Sequence, residues 1–116
     1  MNWTEGRWRA FITSVLRGGF RKYPAKFETL KEAKVGKLLN EKSGRMAEHY
    51  RCASCNQDFP MKDVQVDHIK PVVDPKRGFK TWDEYIDRLY CDSDNLQVLC
   101  IPCHKAKTAK EGKKRK

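Results

Sequence analysis

A chain of 116 residues carrying 25 Lys and Arg against 15 Asp and Glu, with a mean hydropathy of -0.83, is one basic, polar domain. It is long enough for a modest core and short enough to profit from a metal staple. With no apolar run that would span a bilayer or act as an export signal, it is expected to be intracellular and free of membrane contact.

The net charge of +10 is segregated. Residues 7–45 hold eleven Lys and Arg against three acids, residues 105–116 seven against one, and residues 46–104 seven against ten. Basic ends around an acidic middle suit a protein that grips a polyanion with its flanks and gathers cations at its centre.

Asn2 or Thr4 can cap a first helix whose apolar residues Trp8, Phe11, Ile12, Val15 and Leu16 share one stripe for packing, ending at Gly18-Gly19. Pro24 suits the first turn of a second helix, expected to run through Phe27, Leu30, Val35, Leu38 and Leu39, past Gly36. Arg7, Arg9, Arg17, Arg21, Lys22, Lys26 and Lys31 fall on the other faces, where they would follow a phosphate backbone. Residues 1–45 thus read as a basic helical extension, with Asn40 to Gly44 a polar connector.

A short strand at about His49 to Arg51 leads into Cys52-x-x-Cys55, and Val64-Gln65-Val66 reads as a strand with Asp67-His68 at its end. Pro71, Pro75 and Gly78 mark a loop. Thr81 and Glu84 form a capping box ahead of Trp82, Tyr85, Ile86 and Leu89, so residues 82–89 read as a short helix whose aromatic stripe is core. Asn95 precedes an apolar run, Leu96 to Leu99, that enters Cys100-x-x-Cys103, and a final helix begins after Pro102, carrying His104 into the basic tail of residues 113–116. His49 reads as a strand residue, and Cys91 as a small buried thiol without a role.

Two dithiol pairs some 45 residues apart can close one tetrahedral zinc site, and four thiolates leave no open position, so that site is expected to be structural. Its closure would bring Asp67 and His104 together. In a regular strand Asp67 and His68 point to opposite faces, so one site can use both only if the strand ends or bulges there or if metal and water straddle the backbone. Cys103 and His104, adjacent on a helix, differ by about 100° in direction, which lets one face the zinc and the other a second centre. Two readings fit these residues: a catalytically silent zinc-ribbon module binding nucleic acid through basic arms, and a thiol-disulfide redox protein. The last lacks a thioredoxin-like βαβ context.

The text Cys52-x-x-Cys55, Val66-Asp67-His68-Ile69-x-Pro71-Val72, and Asp94-Asn95-Leu96-Gln97-Val98-Leu99-Cys100-x-x-Cys103-His104-x-x-Lys107-Thr108 resembles the HNH endonucleases, whose name matches His68, Asn95 and His104 in order. The resemblance covers about residues 48–110, and Asp74 to Tyr90 is longer than the minimal motif, as an insertion would be. It implies an α+β fold with a zinc-stapled ββα-metal core over residues 46–112, and a small phage-encoded member acting in a bacterium or bacterial host. It also implies that Asp67 and His104 hold a catalytic Mg2+, Mn2+, Ni2+ or Zn2+, that His68 is the base, and that Asn95 steadies the loop bearing it. DNA, double-stranded by expectation, would be cut to 5′-phosphate and 3′-hydroxyl ends. Arg7, Arg9, Arg17, Arg21, Lys22, Lys105 and Lys107 would contact its backbone.

Overall fold

The computed structural model describes the backbone of residues 2–114 and the side chains of 2–111; Arg115 and Lys116 of the expected basic tail lie outside the described residues. Helix α1 (Glu5–Gly19) starts at Thr4, whose Oγ1 accepts from the Arg7 amide at 3.2 Å, and Glu5 in the first turn and Arg17 in the last complement the helix dipole. A single 3-10 turn, Phe20–Lys22, links it to α2 (Pro24–Ala33), where Pro24 occupies the first turn and Ala25, Thr29 and Leu30 are buried.

The second helix stops sooner than its apolar spacing predicts. Residues 34–40, expected to continue it, form strand β1 (Lys34–Asn40), which pairs antiparallel with β2 (Arg45–Arg51) through a turn at 41–44. Lys34 is already extended, and Gly36 sits at φ +119, a backbone no helix contains, next to a bulge that shifts the pairing register. The 1–45 segment is therefore not wholly helical, and the hairpin crosses residue 45.

Strand β3 (Asp58–Pro60), not foreseen, pairs with the other edge of β2, so Cys52–Cys55 lies in the connection between these two strands. Strands β4 (Val64–His68) and β5 (Leu96–Cys100) form a separate antiparallel pair, and α4 (Ile101–Lys114) follows β5 directly. Helix α3 (Trp82–Leu89) lies between them in sequence, capped by Thr81, whose Oγ1 accepts from the Glu84 amide at 3.1 Å.

Three apolar clusters fix these elements. Leu30 of α2 packs with Tyr50, Val64 and Val98; Cys52, Leu99 and Cys100 form a second group with Phe59; and Val72, Tyr85 and Leu89 form a third, against which Leu16 and Phe20 pack. The stripe expected to seat α1 is largely in solvent: Trp8, Phe11 and Val15 are exposed, and the helix is anchored by its last turn. There Gly19 approaches Tyr90 so closely that a Cβ would stand 2.6 Å from the Tyr90 hydroxyl, which itself donates to the Leu16 carbonyl. Among the described residues no helix is long and apolar enough to cross a membrane.

Candidate metal centre and catalytic cleft

The four sulfurs of Cys52, Cys55, Cys100 and Cys103 lie within 4.8 Å of one another, and among the described residues no other group of three or more such donors is gathered as closely. Local structure brings them there. The Asn56 amide donates to the Cys52 carbonyl at 2.9 Å, Asn56 takes a positive φ of 59, and the Cys55 amide points at the Cys52 sulfur at 3.5 Å, so the first knuckle curls around its own thiol. The Ala53 amide donates to the Val98 carbonyl at 2.8 Å, tying that knuckle to β5 just before Cys100. Cys103 follows in the first turn of α4, at the end of the dipole that favours negative sulfur.

The thiols are electrostatically unequal. Burial pushes Cys52 up, yet backbone hydrogen bonds at Cys55, Cys100 and Ser54 bring it down to about 6. Burial and the neighbouring sulfurs push Cys100 up to about 12. Four such thiols ionise together only around a cation, and an all-sulfur tetrahedral set selects zinc and leaves no open position.

Beyond the knuckles a second set of polar side chains is gathered. A cleft of about 230 Å³ is lined by Arg17 of α1, Asp67 and His68 of β4, and His104, Lys107 and Glu111 of α4. Asp67 and His68 reach the same cleft because β4 ends at His68: beyond it the Ile69 amide donates to the Asn95 carbonyl at 2.8 Å, and the Lys70 amide to Asn95 Oδ1 at 3.0 Å. Asn95 is thus fastened to the two residues that follow His68.

His104 Nε2 stands 3.6 Å from Asp67 Oδ1. Two ligand atoms each about 2.1 Å from one ion lie at most about 4.2 Å apart, so this pair fits a shared divalent cation. Across the strand pair from Asp67, Gln97 Nε2 donates to Asp67 Oδ2 at 3.1 Å. Lys107 Nζ reaches the same Oδ2 at 3.1 Å, donates to the His68 carbonyl at 2.9 Å and pairs with Glu111. Expected among the phosphate contacts, Lys107 is instead turned into the cleft with 24% of its side chain exposed. Burial would lower its pKa, but the hydrogen bonds to Glu111 and Asp67 prevail and raise it, so it stays charged.

The His68 ring is held from two sides. Its Nε2 lies 2.8 Å from the Leu89 carbonyl, one of the last in α3 and so without a partner in that helix. A carbonyl only accepts, so Nε2 carries the proton and Nδ1 is the ring's basic nitrogen. Phe20 packs against the imidazole at 4.9 Å between centroids. Burial lowers the ring's pKa, more than the Leu89 carbonyl and Asp67 raise it, with Arg17 and Lys107 adding to the depression.

Of the other basic residues, Arg17 lines the cleft with its guanidinium 5.9 Å from the Tyr85 ring. Arg7 stacks on Trp3, Arg9 lies over Phe79, and Arg21, Lys22 and Lys105 are exposed. His49 is a buried strand residue bonded to the Ala47 carbonyl, and Cys91 lies half-buried, 3.7 Å from Asn95 Nδ2. Glu111 and Gln97 escaped the sequence reading. Glu111 stands four residues after Lys107 and seven after His104, on the same helical face, a periodicity that could have found it. Leu89 acts through its backbone and carries no side-chain signal.

No family model and no solved structure matches the chain. Over 51 residues, 44% of its length, it is 45% identical to the human protein "DNA annealing helicase and endonuclease ZRANB3" and 43% identical to the mouse protein of that name. The matched stretch spans about 4% of the length of each relative.

Proposed function

We propose that this chain is a metal-dependent DNA endonuclease of the HNH kind, hydrolysing phosphodiester bonds to 5′-phosphate and 3′-hydroxyl ends. The observation that carries the reading is convergence: Asp67, His68 and His104, from two different elements, line one cleft beside a four-cysteine cluster. The order of β4, β5 and α4 is the one a ββα core requires, and the similarity to proteins named as both helicase and endonuclease points to the same substrate class.

Asp67 and His104 would hold the catalytic cation, while the four cysteines hold structural zinc. When bound there, such a cation would supply charge neutralisation to the phosphoryl oxygens and the departing 3′-oxygen. His68 takes the proton of the attacking water at Nδ1, while the Leu89 carbonyl keeps the ring in the required tautomer and stabilises the imidazolium that results. Asn95 fixes the backbone that presents the ring. Arg17 offers a guanidinium to the phosphate, and the exposed Arg21, Lys22 and Lys105 supply affinity for double-stranded DNA, each neutralised phosphate contributing roughly 0.9 to the log-log salt slope.

The test is supercoiled plasmid incubated with zinc-loaded protein and Mn2+ or Mg2+. Nicked or linear product is expected from the parent and at least about a hundredfold less from His68→Ala. Equal cleavage by that variant would refute the base assignment. DNA binding with no cleavage under any divalent ion would leave a silent zinc-ribbon module in its place.

A further inference from the structure

Lys107 is the one cation in the cleft whose contacts saturate it. An ammonium has three hydrogens, and three acceptors meet them: Asp67 Oδ2, the His68 carbonyl and Glu111 Oε1. These contacts span the site. One acceptor is the expected metal-binding carboxylate, one is the backbone of the expected base, and the third lies a turn further along the helix that carries His104. With Oδ2 taken by Lys107 and Gln97, Oδ1 is the Asp67 oxygen left beside His104 Nε2.

A lysine so placed also opposes any cation that Asp67 and His104 would bind. Asp67 and Lys107 alone cancel, leaving a neutral site with little attraction for a divalent ion. Glu111 restores a net charge of -1 to this group of three, offsetting the Arg17 guanidinium on the cleft wall. It also holds the ammonium inward, where a solvated lysine would otherwise recover its rotamer freedom.

We infer that Lys107 and Glu111 act as a pair of positioning residues for the cation site, Lys107 orienting the Asp67 carboxylate and Glu111 supplying the negative charge that lets a divalent ion bind beside it. The inference rests on the reading of Asp67 and His104 as cation ligands. The pair acts on affinity for the ion before any substrate arrives, and Lys107 meets Asp67 at Oδ2, the oxygen that His104 leaves free.

Direct Mn2+ binding to zinc-loaded protein, followed by the loss of the free-ion electron paramagnetic resonance signal, tests it without reference to cleavage. Glu111→Gln keeps the acceptor oxygen and removes one negative charge, and is expected to weaken Mn2+ binding about three- to tenfold. The double variant Lys107→Met with Glu111→Gln has the formal charge of the parent, so its loss, expected at about fivefold or more, isolates positioning from electrostatics. Lys107→Arg retains the charge and much of the reach, and should bind within about threefold of the parent. Zinc content and thermal unfolding of each variant establish that the fold is retained.

Parent protein whose Mn2+ uptake is lost in Asp67→Asn, with Glu111→Gln and the double variant binding as the parent does, would overturn the inference and leave the cation reading standing. Parent protein that takes up no Mn2+ would overturn both.

Discussion

Helix α1 has fifteen residues and buries none of them, whereas the eight-residue α3 holds Tyr85 and Leu89 at 3% and 1% exposure. Length is therefore no guide to which helix the fold depends on. An isolated helix of either size is marginal in water, and tertiary packing decides its fate. Helix α3 is fixed by its apolar face, and its last carbonyls are taken by His68 and, through Tyr90, by Tyr23. Helix α1 leans on its cap, on Leu16 and on the close passage of Gly19 against Tyr90.

The contrast is open to direct attack. The largest effect should come from the metal staple: Cys100→Ser is expected to lose zinc and more than about 4 kcal/mol of stability, measured by metal analysis and urea unfolding, with α1 bystander to the change. Next, Leu89→Ala should cost about 2–5 kcal/mol, while Val15→Ala on the exposed face of α1 should stay within about 0.5 kcal/mol. Comparable losses at the two sites would dissolve the distinction.

Gly19→Ala sharpens it further. The added Cβ must displace the Tyr90 hydroxyl and break its bond to Leu16, for a loss of about 1–2 kcal/mol, and hydrogen exchange should show α1 released ahead of the rest.

The smallest effect is one of pH. His68 binds its proton less readily in the fold than in the unfolded chain, where the value is near 6.5, so the folded protein carries fewer protons just below that pH. Stability should then be full above 6.5 and fall as the pH drops through it toward the folded value. The His68 ring resonances, followed by NMR in the absence of added divalent ion, should titrate below 6.5.

Much of this was legible wherever the signal was local. The knuckles, the capping box at Thr81 and the strand ending in Asp67-His68 each need only a few neighbouring residues to be recognised. Strand β1 was not, because Leu30, Leu38 and Leu39 satisfy a loose helical spacing and only pairing with β2, together with the backbone of Gly36, decides otherwise. In the cleft, Asp67, His68 and His104 announced themselves by residue type. What surrounds them did not: a backbone carbonyl from the segment read as an insertion, a cross-strand glutamine, and a glutamate lost among the lysines of the last helix.

Cys103 and His104 are consecutive residues at the start of α4, one turned toward the sulfur cluster and the other toward the cleft. An oxidant that consumed a thiol, or a cell short of zinc, would shift that helix start and carry the imidazole away from Asp67. The shape of the cleft would thus depend on the state of four thiols outside it, with every residue that lines it chemically untouched.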